Sequence, residues 1–234
     1  MATTPKAAMS KNWILARLPE AESKRLLPHL QFVPLHLKQV LYRPEEPIRY
    51  IYFPLDAVVS MVVPLNDGKQ VEVILIGPEG MLGIRAILEG KSYWYISVVQ
   101  IEGGCLRINA EVLRAEFKRA RVLQERLLHH TSYLLVQTAQ LAACNRVHRV
   151  KQRLARWLLM THDRAKHDEF PITQEFLSEM LGTPRSEVSA ATGALRRSGI
   201  IQYERRKMTI LNRKALEGVA CECYYILREE LMRS

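Results

Sequence analysis

Cysteine is scarce in this 234-residue chain: there are four, none before Cys105. That excludes a disulfide-stapled scaffold. The polar segment Met1–Lys11 lacks an apolar leader, so free thiols in a reducing cytoplasm are the expected setting. No run of about 18 apolar residues occurs, which argues against a membrane-spanning helix. Glycine and proline, 11 of each, are too few for a collagenous or low-complexity chain. Acidic residues are the minority charge. Against 24 Asp and Glu stand 34 Lys and Arg, a net charge of +10 that makes nucleic acid the first polyanion to consider. A P-loop, a dinucleotide fingerprint and a nucleophile–base constellation are also missing, so no catalytic site and no enzyme is expected.

What is present falls into three textures. Asn12–Leu30 has leucines at helical spacing, interrupted by Pro19. From Gln31 to Ile108, short β-branched and aromatic runs alternate with turns: 39–42, 50–53, 58–65, 71–76, 95–101 and 105–108. Asn66-Asp67-Gly68 marks a tight hairpin, because Asp-Gly tolerates positive φ. Such spacing predicts a sandwich or a barrel-like roll. From Asn109 the chain is helical again, and 122–147 runs without glycine or proline. Leu127, Leu134 and Leu141 recur every seven residues, as do Thr131, Thr138 and Asn145. Leu128, Leu135 and Ala142 follow the same step. The first two sets are expected to form the seam of a homodimer, the alternative being a helix packed on its own domain. From Asn145 onward, 17 basic residues stand against 11 acidic ones, +6 of the net +10, which favours this smaller part as the polyanion binder.

Ile172–Ile201 is the informative stretch. Thr173 is an expected N-cap, Gly182 an αL terminator, Thr183 a second cap with Pro184 at the first helical position, and Gly199 the end of the second helix. Val188, Ala191, Thr192 and Leu195 form one inward stripe. Arg185, Ser186, Ser189, Ala190, Gly193, Arg196 and Arg197 take the opposite face. A strand–turn–strand pattern follows, with Arg205, Arg206 and Lys207 at its expected tip. The pattern predicts a winged helix-turn-helix whose second helix lies in a major groove, the alternative being an ordinary helical hairpin whose polar face meets only water.

Together with Ile51–Pro54 (I-Y-F-P), Gly77–Gly83 (G-P-E-G-M-L-G) and Arg153–Met160 (R-L-A-R-W-L-L-M), this stretch resembles the Crp/Fnr family of bacterial transcription regulators over nearly the whole chain. The resemblance implies an α+β protein in three parts: a sensory β-roll at 1–120, a long dimerisation helix at 121–148, and a winged helix-turn-helix domain at 149–234. Its expected partners are a second copy, double-stranded DNA with a pseudo-palindromic site, and RNA polymerase. The family's base-reading positions map to Arg185, Ser186, Ser189 and Ala190. Arg185 is similar to the guanine-reading arginine of the Crp branch, and Ser189 to the serine of the Fnr branch. Ser186 and Ala190 depart from the glutamate and arginine common to both. Thr173, Thr183, Arg196, Arg197, Arg205, Arg206 and Lys207 are expected on the DNA backbone. A sensor module with vestigial DNA binding is the competing reading.

Relatives that bind cyclic AMP carry Gly-Glu and a later Arg-Ser. Here Gly83 is followed by Ile84 and Arg85, and the later segment reads Lys91-Ser92-Tyr93-Trp94. Cyclic AMP is therefore not expected as effector; Arg85, Lys91 and Trp94 are the residues left to meet another ligand. No cysteine precedes Cys105, against the N-terminal iron–sulfur ligands of the Fnr branch. Cys221 and Cys223 fall within one expected helix, 214–231, and would point about 200° apart, which makes them poor chelators. No metal site is expected, and His129 and His130 are read as ordinary helix-surface residues, the alternative being a haem or metal ligand.

Overall fold

The computed structural model describes residues 5–66, 68–90 and 95–233. The chain divides into two compact units. One is the chain to Met61 with Ile76–Leu135; the other is Val62–Leu75 with Val136–Arg233.

The first unit opens with helices α1 (Pro5–Met9), α2 (Trp13–Ala16) and α3 (Glu20–Leu26). Buried Asn12 caps α2 by accepting from the Ile14 and Leu15 amides. Its own amide nitrogen donates to the Pro54 and Gly80 carbonyls at 3.0 and 2.9 Å. The roll follows as β1 (Gln31–Leu35), β2 (Val40–Tyr42), β3 (Tyr50–Pro54), β4 (Val58–Pro64), β5 (Gln70–Ile76), α4 (Ile84–Leu88), β6 (Ile96–Ile101) and β7 (Gly103–Asn109). The strands lie in two sheets, ordered β1-β7-β3 and β2-β6-β4-β5. β1 and β3 flank β7 antiparallel, and β2 is antiparallel to β6. Strand β1 escapes the sequence pattern because Pro34 interrupts it; an edge strand tolerates a missing amide donor. The turn joining β4 to β5 closes through Leu65 N–H to Lys69 O at 2.8 Å, with Gly68 at φ +80°. Asp67 lies outside the described residues.

Helices α5 (Ala110–Arg119) and α6 (Arg121–Val147) complete the roll. Asn109 caps α5. At the start of α6, the Glu22 carboxylate accepts from the Val122 and Leu123 amides at 3.2 and 2.9 Å, satisfying donors that a helix start leaves open. His129 is exposed as expected of a helix-surface residue, but His130 is not: it is buried, and its Nε2 lies 2.9 Å from the Met81 carbonyl oxygen. A side chain at Gly80 would meet the His130 ring at 2.5 Å, so glycine is needed there.

The face of α6 divides the residues of the expected seam by burial. Leu127, Leu134 and Leu141 are buried, and the half-buried Thr131 hydroxyl donates to the Leu127 carbonyl. These leucines pack inward, within the chain itself. The residues left outward are one position along: Leu128 at 48% exposure, Leu135 at 69%, and the exposed Ser132, Ala139 and Ala142. Thr138 and Asn145 are also exposed. A seven-residue step repeats in neighbouring columns alike, and packing against the rest of the fold chooses between them.

The second unit contains the tip of the β4–β5 hairpin, the end of α6, α7 (Val150–Ala165), β8 (Glu169–Pro171), α8 (Gln174–Leu181), α9 (Arg185–Arg197), β9 (Ile201–Glu204), β10 (Lys207–Ile210), α10 (Arg213–Val219) and α11 (Cys223–Arg233). Its sheet is ordered β8-β10-β9. The single helix expected over 214–231 is in fact two, because Ala220 turns extended at ψ 153°. Among the described residues, no helix is long and apolar enough to cross a membrane.

Candidate nucleic-acid interface

Helix α7 is the platform. Leu154, Trp157 and Leu158 are buried on it, and the Trp157 ring meets Phe176 of α8 edge-on at 6.4 Å. Buried Arg153 donates to the Leu181 carbonyl, covering the end of α8 where carbonyls lack helical partners. The hairpin tip packs here as well: Glu72 accepts from the Trp157 indole, and Val71 sits against Gly182.

Helix α8 starts as its sequence dictates. The Thr173 hydroxyl accepts from the Phe176 amide at 3.1 Å, Leu177, Met180 and Leu181 are buried, and Gly182 ends the helix in the left-handed region at φ +56°. The turn is tight. Ser178 Oγ donates to the Thr183 carbonyl at 2.7 Å, and the Thr183 amide returns to the Ser178 carbonyl. Helix α9 begins one residue later than expected: Pro184 is the cap residue at ψ 142° and offers no side-chain hydrogen bond. The Thr183 hydroxyl instead lies 3.4 Å from the Glu187 carboxylate.

Four inward residues of α9, Val188, Ala191, Thr192 and Leu195, are buried. The opposite face presents Arg185, Ser186, Ser189, Ala190, Arg196 and Arg197, all exposed, with Gly193 half-exposed among them. Small side chains between guanidiniums let a helix approach a groove floor closely.

The wing is a two-residue hairpin. β9 and β10 pair from Lys207↔Glu204 to Ile210↔Ile201, and Arg205 and Arg206 form the turn at φ +49° and +65°. Positive φ at both central positions is the geometry whose twist suits antiparallel strands, although glycine and asparagine adopt it more cheaply. Lys207 departs from expectation: it is the first residue of β10, and its Nζ lies 2.6 Å from Glu169 of β8. Short β8 was invisible to the sequence pattern, and with it the carboxylate that holds Lys207. By contrast, Arg185, Arg196, Arg197, Arg205 and Arg206 have no ion-pair partner among the described residues.

In the first unit, the position after Gly83 is Ile84, buried in α4 where a ribose hydroxyl would need an acceptor. The neighbouring Arg85 lies 3.5 Å from Glu89, its partner one turn along. Ile84 supplies no carboxylate at this position. Lys91 and Trp94 lie outside the described residues. A separate cleft of about 320 Å³ is lined by Leu41, Tyr42, Glu46, Pro47, Arg49, Tyr50 and Tyr52.

Comparison with known proteins agrees with this geometry. Residues 152–219 match the model of the Crp-like helix-turn-helix domain, and residues 32–120 that of the cyclic nucleotide-binding domain. The transcriptional regulator LdrP of Thermus thermophilus is 27% identical over 192 residues, covering 78% of this chain and 93% of its own. Two solved structures share the fold. A CRP-family transcriptional regulator from Thermus thermophilus has a TM-score of 0.68 at 22% identity, over 80% of this chain and 96% of its own. FixK2 from Bradyrhizobium japonicum has a TM-score of 0.69 at 18% identity, over 82% and 98%.

Proposed function

Because this chain belongs to the Crp/Fnr family of transcription regulators and carries the family's helix-turn-helix DNA-binding domain, we propose that it acts as a homodimer reading a pseudo-palindromic site in double-stranded DNA. The observation that carries this is the outer face of α9. Exposed guanidiniums flank small side chains there, beside a wing whose two turn residues are both arginine. Arg185, Ser186, Ser189 and Ala190 read base edges. Thr173, Thr183, Arg196, Arg197, Arg205 and Arg206 hold phosphates, and Lys207 does so only when it leaves Glu169.

The dimer forms along α6 through Leu128, Ser132, Leu135, Ala139 and Ala142, which continue the three- and four-residue alternation of a helix–helix seam. Two-fold symmetry would then place the recognition helices about 34 Å apart, one turn of DNA. Cyclic AMP is not the effector in this reading: Ile84 follows Gly83 where its binders carry glutamate, and the later segment reads Lys91-Ser92 rather than Arg-Ser.

The test is selection of bound sequences from random DNA. Enrichment of an inverted repeat with half-sites about ten base pairs apart supports the reading. Recovery of no common sequence, with binding that tracks ionic strength alone, would overturn it.

A further inference from the structure

Four metal-ligand side chains from two distant stretches of sequence meet in the second unit. Cys144 lies in the last turn of α6, His148 just past its end, Cys221 in the link between α10 and α11, and Cys223 opens α11. One donor atom from each lies within 4.8 Å of all the others. Cys144 Sγ is 3.6 Å from Cys221 Sγ, and Cys223 Sγ is 3.6 Å from His148 Nδ1.

Local structure explains the convergence. Cys144 and His148 are four residues apart and so share one side of the chain's helical path. Cys221 and Cys223 would diverge on a continuous helix. The break at Ala220 leaves Cys221 outside α11, and both thiols turn the same way. The Cys-x-Cys spacing, read on one continuous helix, gives no sign of this convergence.

The separations match one tetrahedral ion. With Zn–S about 2.3 Å and Zn–N about 2.0–2.1 Å, a tetrahedron has sulfur–sulfur edges of about 3.8 Å and sulfur–nitrogen edges of about 3.6 Å. An iron–sulfur cluster distributes its ligands over several irons and needs a wider set. The surroundings also suit a metal. With Nδ1 facing the sulfurs, His148 Nε2 lies 3.1 Å from the Glu222 carboxylate, the arrangement that fixes a ligating imidazole. Gln140 donates to Cys223 Sγ at 3.1 Å. Buried Arg156 lies in electrostatic reach of Cys144 and Cys221, and its Nε has no hydrogen-bond partner among the described residues. A zinc ion held by three thiolates and an imidazole carries one net negative charge, which that guanidinium balances.

We propose that Cys144, His148, Cys221 and Cys223 bind a single structural Zn²⁺, clamping α11 to the end of α6. Binding displaces the three thiol protons to solvent. The three thiols are buried and all four ligands come from the protein, so the site is closed rather than catalytic.

The experiment uses the full chain, purified under reducing conditions without added metal. Elemental analysis should find one zinc per chain. After chelation, Co²⁺ titration should saturate at one equivalent with the intense visible bands of a tetrahedral site and thiolate charge-transfer absorption, both abolished by Zn²⁺. His148→Ala and Cys223→Ser should lose these bands. Glu222→Gln, a surface change, should retain them with affinity about 10- to 100-fold weaker. A zinc-free native chain whose Co²⁺ spectrum is pale and octahedral would overturn the proposal. So would a Cys144–Cys221 disulfide in the reduced preparation, or Cys223→Ser and His148→Ala variants that bind Co²⁺ as the native chain does.

Discussion

The Trp157 indole nitrogen donates to a Glu72 carboxylate oxygen at 3.0 Å, and both side chains are buried. The pair ties the β4–β5 hairpin tip to the helix that supports the recognition motif. Strand β5 is held again toward its other end, where the Leu75 amide donates to the Gln137 side chain at 2.6 Å. A buried carboxylate is costly unless partnered, and a buried indole N–H without an acceptor carries a penalty of its own. Glu72→Ala should therefore lower unfolding free energy by about 1–3 kcal/mol. Trp157→Phe, made in that background, should cost less than it does in the native chain. Denaturant unfolding of the four-member cycle checks this; strictly additive losses would contradict the coupling.

Adjacent residues of α6 should behave oppositely. Leu135 is 69% exposed, whereas Leu134 is 8% exposed. Leu135→Glu should yield a folded monomer at micromolar concentration, measured by light scattering. Leu134→Glu should instead lower the melting temperature by burying an unpaired carboxylate. A dimeric Leu135→Glu protein would place the interface elsewhere.

Burial holds the His130 imidazole below its ordinary pKa of 6.5. The unfolded chain therefore binds a proton that the folded chain refuses. Stability from this group is present above about pH 6.5 and falls as pH drops from there toward the lowered folded value. His130→Gln should flatten that acid-side slope while costing stability at neutral pH, through loss of the close fit against Gly80 and Met81. Urea unfolding at several pH values reads both effects. An unchanged slope in the variant would show that another group titrates.

The helix-turn-helix was legible because its signals are local. Thr173 caps, Gly182 terminates, and Val188 to Leu195 repeat at helical spacing within one short segment. The orientation of α6 was not legible, since the 127/134/141 and 128/135/142 columns carry the same period and only packing separates them. Strand β8 is three residues long and ends in Pro171, which leaves too little pattern to detect. The pairing of Lys207 with Glu169 vanished with it. The Cys144–His148–Cys221–Cys223 cluster depends on a helix break at Ala220, for which Gly218 two residues earlier is the one local sign, and a lone glycine is tolerated inside a helical pattern.

The central claim is that α9 reads bases and the wing holds phosphate. Arg185, the first residue of α9, is exposed, and its planar fork can pair with O6 and N7 of guanine. The decisive measurement is equilibrium binding of the native chain, Arg185→Ala and Arg206→Ala to single-base variants of the selected site at two salt concentrations. Arg185→Ala should lose about 1–3 kcal/mol of discrimination at one symmetric position in each half-site. Arg206→Ala should weaken every variant by a similar factor and reduce the salt slope by about 1. If Arg185→Ala kept every base preference while Arg206→Ala changed them, the assignment of reader and clamp would be contradicted.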